Sequence, residues 1–341
     1  VKAVIWTDTI QAFALGGGMI FLLFSLIGDI DGGWNSLFEV AESNDKMKMN
    51  STDGGWGERN VYSAIAYGFF IYLGGQIATY GSYQRYITVK STKDAQLSLG
   101  VKGIFTLFSC TLFFLVGTAL YVFYHQAPES LEVFNDYSLD AAKDRLLPHY
   151  VMNYMDGAGI TGLLLAGLFA AAMSSLDSGI NSMVATLVTD WYKGRNMGKG
   201  TNRKLTLIFG VLVTGIGCLM SFSNLPVFDL LLSVSGATLG LLLSILLVGL
   251  LYRKATSTGV MWGMVGGLAI YVFIRLYIGE YASDEVINSL GSFGQIRYNT
   301  WWDGMFTTCT SLLVATTVSF FTYKGEPVDD SLLFTKALPH E

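Results

Sequence analysis

Residues 171–182 read Ala171-Ala172-Met173-Ser174-Ser175-Leu176-Asp177-Ser178-Gly179-Ile180-Asn181-Ser182, inside a mostly apolar run over 159–189. A helix of about 20 mostly apolar residues crosses a bilayer, because it satisfies its own backbone N–H and C=O groups where no water can. Stepping about 100° per residue from Ser174 places Ser174, Ser175, Asp177, Ser178, Asn181 and Ser182 within an arc of roughly 160°. Met173, Leu176, Ile180, Met183 and Val184 fall on the other side. One face therefore carries oxygen ligands of the kind hard cations take, and the other suits packing or lipid. Ser and Gly alone would also fit a close helix–helix seam. A seam has no need of the Asp177 carboxylate, and an ionisable residue inside a span faces the protein interior or a water-filled cavity.

The rest of the chain agrees with a membrane setting. Of its 341 residues 52% are hydrophobic and only 14% charged, with net charge −5; ordinary soluble domains carry about 25% charged residues. Too few charges remain to cover the surface of a soluble enzyme of this length. Disorder and a disulfide scaffold are excluded as well. No basic patch supports nucleic-acid binding. Cys110, Cys218 and Cys309 stand singly in apolar runs, so buried apolar cysteines are expected rather than a disulfide or a zinc site.

Eight spans, A to H, are expected over roughly 4–28, 61–83, 100–124, 159–189, 204–222, 225–251, 258–278 and 304–323. Their connections sort by charge. The N-terminal edge, 84–99, 190–203, 252–257 and the tail, with the adjoining span ends, hold fourteen Lys and Arg; the other set, including 29–60, 125–158 and 279–303, holds seven. Positive charge concentrates in cytoplasmic loops, so span A enters from the cytoplasm and the C-terminus returns there. Residues 139–153 read as a short amphipathic helix at the outer surface, and Asn50-Ser51-Thr52 is a glycosylation triplet of little weight. Residue 1 is Val, and the first span begins almost at once, as expected of a fragment that lacks earlier spans.

Two more polar places lie within spans. Asp8, in Trp6-Thr7-Asp8-Thr9-Ile10-Gln11, sits one or two turns into span A; near a helix N-terminus a carboxylate is also favoured by the helix dipole. Span B contains Gly74-Gly75, followed by Gln76, Thr79 and Tyr80. The double glycine permits a helix break that exposes backbone to a ligand, or else a close-packing contact. Asp229 caps span F or meets outside water, and Arg275 can snorkel from span G to the outer interface. No nucleophile–base pair or phosphate loop appears, so the chain does not read as an enzyme.

The run Val1-Lys2-Ala3-Val4-Ile5-Trp6-Thr7-Asp8-Thr9-Ile10-Gln11 resembles a hallmark of the sodium/solute symporter family, whose members take sugars, monocarboxylates, vitamins, proline, iodide and sialic acid. Gln84-Arg85-Tyr86 resembles the pair closing the family's broken helix, and residues 171–182 its sodium-site helix. Gly236–Gly240, Gly249, Arg253 and Gly259 are similar to its late glycine-rich segment.

The resemblance implies an all-α integral membrane protein with a leucine-transporter-like inverted-repeat fold. Residues 1–28 would be the last helix of the first repeat, 61–251 the second repeat of five helices, 258–323 two appended helices and 324–341 a cytoplasmic tail. It further implies a multi-pass protein of the cell membrane that carries a small organic solute with Na⁺ as coupling ion. No organic cofactor is implied. A common sodium site would use the Ala171 carbonyl with Ser174 and Ser175; a second, nearer the cytoplasm, would use Asp8, Ser174, Asp177 and Ser178. Asp177 stands where members also have hydroxyls. Gly74, Gly75, Gln76, Thr79 and Tyr80 would line the solute path, with Thr79-Tyr80 standing where many members have Asn/Asp-Gln. A symporter-like sensor module joined to a signalling domain is the alternative reading.

Overall fold

The computed structural model describes residues 2–47, 52, 56–87, 89–134, 144–155, 160–191, 199–222, 227–277 and 299–325. Among them every regular element is helical. The long or membrane-embedded helices are α1 (Lys2–Asp29), α3 (Val61–Ile77), α5 (Thr92–Gln126), α7 (Ile160–Thr186), α8 (Lys199–Met220), α9 (Val227–Leu251), α10 (Ser257–Tyr277) and α11 (Asp303–Thr322). Shorter ones are α2 (Gly33–Ser43), α4 (Tyr80–Ile87) and α6 (Leu146–Asn153). Among the described residues six helices are long and apolar enough to cross a membrane: α1 from Thr9 onward, α5, α8, α9, α10, and α11 with its preceding turn. Helix α3 is a shorter apolar helix, and α7, at 27 residues, spans about 40 Å at 1.5 Å per residue.

Local signals explain several boundaries. Asn60 caps α3 in a reciprocal box, its side chain accepting from the Ser63 N–H at 3.0 Å while its own N–H donates to Ser63 Oγ at 2.9 Å. Ser91 accepts from the Asp94 N–H at the start of α5. Span B does break, but at Ala78-Thr79 rather than at the double glycine. The carbonyl of Gly75, which loses its helical partner there, is approached by the Thr79 hydroxyl at 2.7 Å and the Ser82 hydroxyl at 3.0 Å. Hydroxyls four and seven residues on replace the missing backbone donor. A wide turn over Gly68–Tyr72 interrupts α3 earlier. Of the expected helix over 139–153, α6 is its second half; residues 139–143 lie outside the described residues, as do Asn50, Ser51 and the tail from 326.

Contacts divide the chain into two compact units, residues 1–48 with 84–226 and residues 49–83 with 227–341. The grouping does not follow chain order. In the first unit α1 packs on α5 and α7, and α8 on α7. Its core joins Leu22, Leu23 and Leu26 of α1 to Val116, Ala119 and Phe123 of α5 and to Tyr150 and Val151 of α6. The Tyr150 hydroxyl donates to Asp29 Oδ2 at 2.5 Å and lies 3.3 Å from Ser25 Oγ.

In the second unit α9, α10 and α11 are joined through residues spaced by four. Gly236 and Gly240 of α9 face Asp303, Thr307 and Thr308 of α11, and Gly259, Gly263 and Gly267 of α10 face Ser319, Ala315 and Ser311. With so little side chain between them the backbones approach closely, and hydroxyls bond across: Thr307 Oγ1 donates to the Gly236 carbonyl at 3.1 Å and Thr308 Oγ1 to that of Gly240 at 3.0 Å.

Two sequence expectations change here. Arg275 does not snorkel outward. Its Nη2 lies 2.5 Å from Asp303 Oδ2 and 2.9 Å from Ser233 Oγ, with the two charged side chains only 14% and 1% exposed. A buried acid within reach outweighs the interface, because Asp303 would otherwise be an uncompensated charge. The three cysteines are free and exposed rather than buried. An apolar run shows that a helix face prefers hydrocarbon; lipid supplies that as well as protein does. Asp229 neither caps alone nor only meets water: it lies 2.5 Å from Arg59.

Candidate functional site

The first half of α7 packs along α1. A Cβ on Gly18 would stand 3.0 Å from Leu164 Cδ2, and one on Gly167 would stand 3.9 Å from the Ala14 carbonyl oxygen. Moving four residues toward the start of α1 thus moves three along α7, so the helices run antiparallel. Continued at the helical rise, that register brings Gln11 level with Ala171, and Asp8 with Ser174. The Asp8 side chain itself lies outside the described part of the structure.

Leu164 and Gly167 of α7 meet α1; continued at the 3–4 spacing of a packed helix, the same stripe runs through Ala171, Ser174 and Ser178. Gly167 is buried; Ala171, Ser174 and Ser178 are half-buried. Ser175 and Asp177 are exposed, on either flank of that stripe. Five of the six expected sodium ligands thus lie on α7, three of them on that stripe.

The hydroxyls and carbonyls of α7 engage one another. Ser175 Oγ donates to the Ala171 carbonyl at 3.2 Å, and Ser182 Oγ to that of Ser178 at 2.8 Å. A hydroxyl so placed covers the carbonyl lone pair a cation would use, and rotating its proton away leaves two oxygens on the same side. Gln11 behaves differently. Its Oε1 is sealed from solvent and meets no donor among the described residues. A buried acceptor left without a donor costs about 1–3 kcal/mol, so its retention asks for a partner such as a cation. Gln11 belongs to the hallmark run, yet sequence reasoning gave it no role; a polar residue seven before Gly18, on the face that packs against α7, was the available signal.

The residues of span B gather separately, in the second unit. The Thr79 and Ser82 hydroxyls lie 3.0 Å apart above the Gly75 carbonyl. Gly75, Gln76, Thr79 and Tyr80 are half-buried. Gly74 is fully buried and shows the close-packing contact: a Cβ there would lie 2.6 Å from the Leu239 carbonyl oxygen. Ser82 joins the cluster without having been singled out in the sequence, because its hydroxyl reaches back across the break.

A multi-helix membrane protein with a broken helix, and with a hydroxyl-bearing helix packed antiparallel to one that holds a buried polar side chain, has the features of ion-linked membrane proteins. The chain belongs to the sodium:solute symporter family, whose sequence model matches residues 1–267. It is 27% identical over 284 residues to the sodium/sialic acid symporter of Aliivibrio fischeri, covering 81% of this chain and 55% of that protein. It is 26% identical over 287 residues to the sodium-coupled monocarboxylate transporter 1 of Homo sapiens, covering 81% of this chain and 45% of that one. A solved structure of a Na⁺-coupled sialic acid symporter, substrate-bound and outward-open, superposes with a TM-score of 0.72 at 21% identity, over 96% of this chain and 64% of that one. That likeness shows the fold. The chain spans about half the length of the curated relatives it matches.

Proposed function

We propose that this chain forms the sodium-binding half of a symporter that moves a small organic solute across the cell membrane by alternating access. The reading is supported by the α1–α7 seam, where Leu164 and Gly167 meet α1, the half-buried Ala171, Ser174 and Ser178 continue their stripe, and the Gln11 amide oxygen is buried without a donor among the described residues. Na⁺ would take the Ala171 carbonyl and the Ser174 and Ser175 hydroxyls. A second ion, nearer the end of α7 that the basic loops place inside the cell, would take Asp8, Ser174, Asp177 and Ser178. Gln11 adds a neutral oxygen at the level of Ala171, beside the first ion. A ligand shifts an equilibrium only by its differential affinity for the two states. Sodium held between α1 and α7 would therefore favour the conformation in which those helices are closed on each other, and its inward gradient would drive the cycle.

The solute would meet Gly75, Gln76, Thr79, Tyr80 and Ser82 at the break in span B. The relatives above take a sialic acid and monocarboxylates by name, so organic acids are the class proposed for the solute. The C-terminus is placed in the cytoplasm on the loop charges. The sensor-module alternative draws no support from these relatives.

The test is uptake into vesicles carrying the intact protein, with a panel of labelled organic acids, in the presence and absence of an inward sodium gradient. Uptake that follows the gradient and weakens in Ser175→Ala is expected. Uptake indifferent to sodium, or unaltered by that substitution, refutes the assignment.

A further inference from the structure

We propose that the turn joining α9 to α10, together with the C-terminal end of α11, forms a binding site for the phosphate headgroup of an anionic phospholipid. The three helix ends lie at one level. The Thr256 N–H donates to Ser319 Oγ at 3.2 Å, and the Thr256 and Thr322 hydroxyls are 2.8 Å apart. The ammonium of Lys254 lies 5.5 Å from the centre of the Phe320 ring and 5.8 Å from that of Tyr323. Those contacts bring the Arg253-Lys254 pair of one segment beside Lys324 of another, 70 residues further along the chain. All three side chains are exposed, and residues 249–260 and 316–325 contain no Asp or Glu.

What surrounds the charges points to lipid. Leu251, Phe320 and Phe321 are 59%, 61% and 79% exposed immediately on the membrane side of the basic residues. Aromatic rings at the end of a span sit at headgroup level, and basic clusters between spans recognise anionic headgroups. A lysine free to swing would be an ordinary loop charge; Lys254 is instead placed over the ring of Phe320 in α11 and that of Tyr323 just past its end. Three cations from two segments thus converge where a phosphodiester of the leaflet would lie, with apolar side chains beneath for its acyl chains. The site is separate from the sodium and solute residues, and its occupancy requires neither.

The experiment is native mass spectrometry of the purified protein with added 1-palmitoyl-2-oleoyl phosphatidylglycerol, with the phosphatidylcholine of the same chains, and with inorganic phosphate. Retention of phosphatidylglycerol over phosphatidylcholine is expected, and each charge removed should weaken it about fivefold. Arg253→Gln/Lys254→Gln/Lys324→Gln should abolish the preference, Lys254→Arg should keep it, and Lys46→Gln, in the other compact unit, should leave it unchanged. Because these side chains are exposed, a matching thermal melt in phosphatidylcholine shows that the triple variant is folded. Equal retention of the two lipids by the wild type overturns the proposal. So does displacement of the lipid by millimolar-scale inorganic phosphate, which would mark a free-anion site.

Discussion

A Cβ on Gly74 would stand 2.6 Å from the Leu239 carbonyl oxygen, while one on the adjacent Gly75 would meet only Leu239 Cδ1 at 3.6 Å. The two glycines of span B therefore do different things. Gly74 lets α3 touch the backbone of α9, and Gly75 offers its carbonyl to the break. Gly74→Ala should lower stability by about 1–3 kcal/mol through overpacking, because backbone cannot move aside as a side chain can. Gly75→Ala should fold as well as the wild type, its added methyl in ordinary contact and its helix propensity improved. Thermal melts of the two variants in the same detergent decide this; equal losses would mean that the Leu239 contact does not matter.

The pair between Arg275 and Asp303 is buried within the three-helix block. Asp303→Asn leaves the guanidinium there without its counter-charge and should cost about 3–5 kcal/mol. Arg275→Met with Asp303→Leu removes both charges and should recover much of that loss. If the single variant melts like the wild type, Arg275 has reached the interface after all.

Tyr150 lies outside the spans, and its phenol is pushed well above the ordinary value of 10.0, first by burial and then by its hydrogen bond to Asp29. The folded state keeps this proton where the unfolded state loses it. The contribution of Tyr150 is therefore full below pH about 10 and declines as pH rises beyond that. Tyr150→Phe, which removes the donor to Asp29, should cost about 1 kcal/mol at neutral pH. The gap between the two proteins should narrow in alkaline solution. Denaturant titrations at a series of pH values measure it; a gap that widens with pH would contradict the assignment.

Gln11→Leu should raise the sodium concentration for half-maximal uptake about tenfold, equivalent to about 1.4 kcal/mol of lost ion binding. It should not destabilise the fold, since the buried acceptor now lacks a donor. Asp8→Asn should instead lower the sodium Hill coefficient, if two ions bind and one uses Asp8. Sodium titrations of uptake separate the two effects. An unchanged sodium dependence in Gln11→Leu excludes that oxygen as a ligand.

Much of this architecture was legible along the chain. Hydropathy placed span A over 4–28 where α1 covers Lys2–Asp29, and span G over 258–278 where α10 covers Ser257–Tyr277. The 100° periodicity put the serines of α7 on one side, because a helix presents its own pattern without help from neighbours. The break in span B was legible as a possibility but misplaced: glycine marks where a helix can bend, while the hydroxyls of Thr79 and Ser82 stabilise the break where it occurs. Gln11 went unread because an orphaned acceptor is a statement about what does not surround it.

Sequence by itself determined that this chain is helical, membrane-embedded, sparing with charge, and built on the pattern of the sodium:solute symporter family. Those are properties of segments, set by transfer to hydrocarbon and by helical period. Tertiary structure decided which partner each polar group finds: Asp303 for Arg275, Arg59 for Asp229, Leu239 for Gly74, and, among the described residues, no donor for Gln11. Such choices depend on the rotation and approach of helices whose residues are 28 to 170 positions apart, and in a medium without water each helix turns until its few polar atoms are matched.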